Sequence, residues 1–253
     1  MKKIMLSLLL AITTLSGCAT YNSETNSYSD PAQGFNRKMF NFNYYVLDPY
    51  IVRPAAVFWR DYLPKPVRTG IVNVSSNISE PASMINYLLQ GEGKKAAIHF
   101  TRFFLNTIFG LGGLIDVAGM ADPQLQKNNN RTFGNVLGHY EVGYGPYVVL
   151  PFYGQASLRE DGGELVDYLY PPLSLLTAEL NIANWLFDGL ETRAQLLDVE
   201  DMLKNSDDPY AFMRNAYFQR QNFLAADGKI DETKQQQRQD SISNYLDDID
   251  ADD

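Results

Sequence analysis

Cysteine is nearly absent from this 253-residue chain: Cys18 stands alone, so no disulfide can form within it. Histidine is almost as scarce. His99 and His139 leave little from which to build a structural metal site, and no metal or other cofactor is expected. Basic residues are outnumbered 21 to 30, giving a net charge of −9. An acidic chain suits neither nucleic acid nor a polybasic grip on anionic lipid. Enzyme signatures are missing too: there is no G-x-S-x-G elbow, no Walker A loop and no H-E-x-x-H. Gly110-Leu111-Gly112-Gly113 only loosely resembles a nucleotide loop, and it follows a helical pattern rather than a strand. His139 lies in a glycine-rich stretch with no nucleophile that the sequence places beside it. No enzyme activity is expected. Long hydrophobic runs are also lacking. The apolar stretch from Ile4 to Leu15 is too short to cross roughly 30 Å of hydrocarbon.

That stretch has another reading. Lys2 and Lys3 precede it and Leu15-Ser16-Gly17-Cys18 ends it, which is a secretory signal closing on a bacterial lipobox. The thiol of Cys18 is then the acylation site and the first mature residue. Residue 19 is Ala rather than Asp, the residue that typically retains lipoproteins at the inner membrane. The expected address is the periplasmic face of the outer membrane. Cleavage removes two lysines and no acids, leaving 236 residues and a net charge of −11.

The organisation expected is a signal at 1–17, a lipidated tether at 18–29, a single helical domain at 30–227 and a mobile acidic tail at 228–253. The tether is rich in Ser, Thr, Asn and Tyr. The tail carries eight acids and three bases after Gly228. Between them the class is all-α with little or no sheet. Apolar residues at Phe35, Met39, Phe42 and Val46 mark one helical face, which Asp48-Pro49 is expected to end. A second helix is predicted over 50–63, where Trp59 and Tyr62 read as a membrane-interface girdle. Glu80-Pro81 is expected to start a short helix to Leu89, and Asp208 to cap one ending near Gly228. Residues 134–154 carry enough Gly and Pro for a loop or hairpin, with 147–150 extended. Within it Gly143 and Gly145 bracket Tyr144 just before Pro146, which reads as a hinge beside a rigid stop, or as a fixed tight turn. The carboxylates of Arg159-Glu160-Asp161-Gly162-Gly163-Glu164 read as a solvated turn and helix start.

The helix predicted over 94–109 inverts the usual proportions. Lys95, His99, Arg102 and Asn106 form one narrow polar stripe, and apolar residues cover nearly everything else. A broad apolar surface suits lipid contact or full burial. The stripe then lines an aqueous or headgroup-bearing path, or else it belongs to a central core helix.

Several long strings, among them DPAQGFNRKMFNFNYYVLDPYIVRP (30–54), HFTRFFLNTIFGLGGLIDVAGMADP (99–123) and FGNVLGHYEVGYGPYVVLPFYG (133–154), resemble the VacJ/MlaA outer-membrane lipoproteins of Gram-negative bacteria. LREDGG (158–163), GLETRAQLLD (189–198) and SDDPYAFMRNAYFQR (206–220) continue the likeness over nearly the whole mature chain. The resemblance implies a ring-like bundle of amphipathic helices embedded in one membrane leaflet around a channel, with the glycine-rich hairpin, including Gly143 to Pro146, as its gate. It implies retrograde transport: misplaced phospholipids leave the outer leaflet and pass to a soluble periplasmic lipid carrier, which preserves outer-membrane lipid asymmetry. It also implies association with trimeric porins. Lys95, His99, Arg102 and Asn106 would form the headgroup path, and Phe35, Met39, Phe42, Trp59 and Tyr62 the membrane-interface helices. The alternatives are a porin-associated structural lipoprotein without transport and a lipid hydrolase.

Overall fold

A computed structural model describes residues 18–22 and 27–229. The predicted signal, and the predicted tail beyond Lys229, lie outside the described residues. The first elements are two short strands, β1 (Tyr21–Asn22) and β2 (Ser27–Tyr28), paired antiparallel. They lie in the stretch expected as a tether, and they are docked rather than free. Tyr28 stacks on Phe218 at 4.3 Å and meets Tyr144 edge-on, and Ala19 is buried in the same aromatic cluster.

The chain then forms α1 (Gln33–Asn41), a π-helical segment (Phe42–Val52) and α2 (Arg53–Tyr62). The residues at both junctions keep right-handed helical dihedrals, so the rod runs on through Pro49 instead of breaking at Asp48-Pro49. The wider i→i+5 winding accommodates a residue that cannot donate. A second proline misleads in the same way. Helix α3 (Lys65–Leu89) contains Pro81 in its interior rather than at its start. An interior proline costs about 3 kcal/mol. Around it Glu80, Ala82, Ser83, Asn86 and Tyr87 are all buried, and such packing outweighs local propensity.

Helix α4 (Gly93–Ile108) packs along α3. A glycine turn, α5 (Val117–Ala121) and α6 (Phe133–His139) follow, the last opened by a reciprocal Thr132–Asn135 capping box. Strands β3 (Tyr147–Leu150) and β4 (Gly154–Ser157) form an antiparallel hairpin, with Tyr147 opposite Ser157 and Leu150 opposite Gly154. The chain ends with α7 (Leu158–Asp167), α8 (Ala178–Gln195), α9 (Glu200–Lys204) and α10 (Pro209–Ala225), the last capped by Asp208 accepting from the Ala211 N–H at 3.1 Å.

The packing order closes on itself. Helix α3 packs on α8, α8 on α2, and the rod from α2 back to α1 reaches β3. Strand β4 leads to α7, α7 packs on α6, and α6 returns to α3. The architecture is therefore a helical ring with a hairpin inserted in it. Two welds hold it. The fully buried Asn36 on α1 accepts the Val149 N–H at 2.9 Å and donates to the Tyr147 carbonyl, satisfying the outer edge of β3. Helices α6 and α7 meet through Gly134 and Gly163, where a Cβ on Gly163 would lie 2.3 Å from the Gly134 nitrogen.

Apolar side chains crowd the outside. On α4 and the following turn Phe100, Phe104, Ile108, Phe109 and Leu111 are exposed, and along the rod so are Phe35, Tyr45, Ile51, Phe58 and Tyr62. Among the described residues no helix is long and apolar enough to cross a membrane.

Candidate functional site

Polar side chains project inward from this ring. Helices α3, α6, α7, α8 and α10, β4 and the Lys127–Asn130 loop surround a cavity of about 550 Å³. Its carboxylates come from α7 (Glu160, Asp161, Glu164) and α8 (Asp188, Glu191), its cations from Lys127 and Arg220. A second cavity of about 130 Å³ shares Asn130, Thr132, Glu164 and Asp188 with it. A third, of about 370 Å³, lies across Asn128–Asn130 and Asn135 and is lined by Tyr87, Lys95 and His99.

Most of these carboxylates are already engaged. Glu160 accepts from Arg159 at 2.7 Å and from Asn135 at 3.2 Å. Asp161 accepts the Tyr153 hydroxyl and the Ser157 N–H, both at 2.6 Å, which pins the end of the hairpin to α7. Glu191 accepts the Trp59 indole at 2.7 Å and joins α8 to α2. Among the described residues Asp188 accepts only the Ser75 hydroxyl, at 2.6 Å. Glu164 has no donor or cation partner among the described residues. Burial, then the charges of Asp161, Asp167 and Asp188, push its carboxyl up to about 7. Burial also raises Asp188, against the Ser75 hydrogen bond, and it lowers the Lys127 ammonium. On the neighbouring turn of α7, Asp167 accepts Asn86 Nδ2 and the Phe133 N–H, yet burial still lifts it to about 6.

The polar stripe on α4 faces inward, toward other carboxylates. Arg102 is 2% exposed. Its Nε donates to Glu80 Oε1 at 2.7 Å, and its guanidinium also reaches Asp116 and the Leu125 carbonyl. His99 Nδ1 lies 2.5 Å from the other oxygen of Glu80. Asn106 donates to Asp116 at 2.8 Å and accepts the Ala118 N–H. Lys95 pairs with Asp227. The stripe thus divides: Lys95 and His99 border the third cavity, while Arg102 and Asn106 are spent in a buried network joining α3, α4 and the α5 turn.

A profile of the family described as MlaA lipoprotein matches residues 28–224. The chain belongs to the MlaA lipoprotein family. Over 251 residues it is 53% identical to the intermembrane phospholipid transport system lipoprotein MlaA of Shigella flexneri, covering 99% of this chain and 100% of that one. The Haemophilus influenzae protein of the same name is 40% identical over 237 residues, 92% of this chain and 94% of that one. A solved structure from work on the structural basis for maintenance of bacterial outer membrane lipid asymmetry is 59% identical, with a TM-score of 0.76. It covers 78% of this chain and 99% of its own.

The other residues singled out from sequence are scattered around the ring. Tyr144 is buried. Its hydroxyl donates to Asn222 at 2.7 Å, and the Arg159 guanidinium lies 3.7 Å over its ring. Gly145 adopts φ +68°, whereas Gly143 has open space around its Cα. Pro146 pairs with Cys18 in a β-bridge, and the Ala19 N–H donates to the Gly145 carbonyl at 2.8 Å. Phe35 and Tyr62 are exposed, while Met39 and Phe42 are half-buried. Trp59 is buried against Phe187 and Ala194, so it joins α2 to α8 inside the ring. His139 is exposed at the end of α6. The cavity carboxylates Glu164 and Asp188 were not legible as a site. The run from Arg159 to Glu164 is a helix start, as expected, but not a solvated one: Arg159, Glu160 and Gly163 are buried in α7, and Asp161 and Glu164 are half-buried. A signal did exist: Glu160, Gly163, Glu164 and Asp167 recur three or four apart, on one helical face.

Proposed function

We propose that the protein is a phospholipid conduit. It sits in the outer membrane from the periplasmic side, anchored by acyl chains on Cys18. It removes misplaced phospholipid from the outer leaflet and hands it to a soluble periplasmic lipid carrier, in association with trimeric porins. One observation carries this reading: an apolar exterior surrounds a ring whose interior is polar and hollow. That is the reverse of a water-soluble domain, and it fits a body immersed in hydrocarbon that must pass a charged headgroup. Family membership supports the substrate, because the relatives carry phospholipid transport in their names. Helical backbone satisfies itself in lipid, so a ring of short helices can occupy one leaflet without spanning both.

The test is genetic replacement. Cells lacking the protein should accumulate phosphatidylethanolamine in the outer leaflet, read by a membrane-impermeant amine label, and should become sensitive to detergent with chelator. Wild-type chain should restore both. A secreted Cys18→Ala chain should still partition with membranes, less firmly. Normal leaflet composition in the deletion strain would leave a structural, porin-bound role. A Cys18→Ala chain that is freely soluble without detergent would rule out embedding. Fatty acid released by the purified protein would point to a hydrolase.

A further inference from the structure

Glu164 and Asp188 lie where the two inner cavities share a wall, one on α7 and one on α8. Neither is neutralised by a cation within hydrogen-bonding range among the described residues. Among those residues Glu164 has no hydrogen-bond partner, and Asp188 has only the Ser75 hydroxyl. The same large cavity has spare positive charge. Arg220 makes no hydrogen bond or ion pair among the described residues; Lys127 donates to the Val72 carbonyl at 3.2 Å and feels the Asp188 charge only from beyond hydrogen-bonding range. Ser76, also on that wall, is 5% exposed, and its hydroxyl has no partner among the described residues. Buried polar groups are normally satisfied. An open hydroxyl beside unpaired groups of both signs marks a site built for a polar guest.

We infer that this cavity selects zwitterionic phospholipid headgroups, with the ammonium held between Glu164 and Asp188 and the phosphate by Lys127 and Arg220. The inference rests on the phospholipid-conduit reading and adds which headgroup chemistry the conduit prefers. An anionic headgroup without an ammonium would meet the same phosphate ligands but leave the carboxylates uncompensated and repel them. Burial disfavours the charged forms of Glu164 and Asp188, and a bound cation would relieve that penalty.

The experiment is native mass spectrometry of the full acylated chain in detergent, with equimolar dioleoyl phosphatidylethanolamine and dioleoyl phosphatidylglycerol. Identical acyl chains leave the headgroup as the only difference. Wild type should retain the ethanolamine lipid about threefold or more over the glycerol lipid, the scale of a partly solvated ion pair. In Glu164→Gln and in Asp188→Asn the ratio should fall toward one while total retention stays. Arg220→Gln should lower retention of both lipids together. A wild-type ratio of one, or a preference that survives both carboxylate variants, overturns the selectivity. Retention of neither lipid by the wild type overturns the conduit reading and this inference with it. The wild-type ratio needs no variant, so a variant that fails to fold cannot protect the idea.

Discussion

Asn43 holds Phe152 at the tip of the hairpin. Its side-chain oxygen accepts the Phe152 N–H at 3.0 Å, while its amide donates to the Leu150 carbonyl at 2.8 Å. Phe152 takes φ +66°, a left-handed conformation that a side chain disfavours, and Phe42 meets its ring edge-on at 5.6 Å. The π-helical segment therefore holds a strained turn in place. Asn43→Ala should destabilise the protein by about 1 kcal/mol and speed amide exchange at residues 150–153 before elsewhere. Phe152→Gly should recover backbone strain while losing the ring contact, so exchange at the tip should stay slow only where Asn43 is intact. Unchanged exchange at the tip in Asn43→Ala would mean that the clasp holds nothing.

The glycines at the α6–α7 crossing should be intolerant. A Cβ on Gly163 meets the Gly134 backbone, and one on Gly134 meets the Glu160 Cα at 2.7 Å. Gly163→Ala should lower folded yield sharply. Gly189→Ala, on α8 with nothing within 4 Å, should be neutral or stabilising by about 1 kcal/mol, the helix propensity gain of alanine. Thermal melts of the two in one detergent make the comparison. Equal melting temperatures would show that the crossing relaxes.

The two glycines of the hairpin approach should also part company. Gly145 has positive φ, and a Cβ there would lie 3.1 Å from Leu158 Cβ. Gly143 has neither constraint. Gly145→Ala should cost about 1–2 kcal/mol, and Gly143→Ala should be near neutral. Similar losses at both would mean that Gly143 is constrained too, as in a fixed tight turn.

Arg102 should matter first for stability. Arg102→Met leaves Glu80 buried and short of its cation, and removing one partner of a buried pair costs about 3–5 kcal/mol. Adding Glu80→Gln should return part of that loss. Denaturant unfolding of the single and double variants checks it, and additive losses would show the pair uncoupled.

Stability should fall as pH rises. Glu164 and Asp167 have folded-state pKa values of about 7 and about 6, above their ordinary 4.5 and 3.8. The folded state therefore holds protons that the unfolded chain has released. Their contribution is fully present below the ordinary values and is lost as pH rises through the raised ones. The melting temperature should drop between pH 5 and pH 8. Glu164→Gln should flatten the upper part of that drop and melt higher than wild type at pH 8. A parallel profile in the variant would place the titration elsewhere.

What could be read in the chain was whatever depends on near neighbours. The Asp208 cap and the extended strand at Tyr147–Leu150 follow from residues three or four apart or from dense glycine and proline. The same density misled at Phe133–His139, where Gly134 and Gly138 read as loop but the Thr132–Asn135 capping box opens a helix. Pro49 and Pro81 misled because a proline's local penalty is visible in the sequence, whereas the packing that outweighs it is not. The stripe from Lys95 to Asn106 was legible as a stripe, since helical spacing shows it. What it faces was not. Glu80 and Asp116 sit on other elements, and nothing in the spacing distinguishes a buried counter-charge from a water-filled path. Glu164 and Asp188 were harder still, because 24 residues and a change of direction separate two side chains that share a wall.

The β-bridge between Cys18 and Pro146 bears on how an acylated chain would hang from its lipid. A free coil of a dozen residues after the acylated cysteine would give a leash of about 20 Å, and the body could swing beneath the lipid at any tilt. Here the leash has no slack. An acyl chain on Cys18 would tow the ring from the base of its own hairpin, one residue from Gly145, whose carbonyl the Ala19 N–H holds. The attachment point and the ring would then keep one fixed attitude, and a pull on the lipid would be felt first by the turn that carries Tyr144.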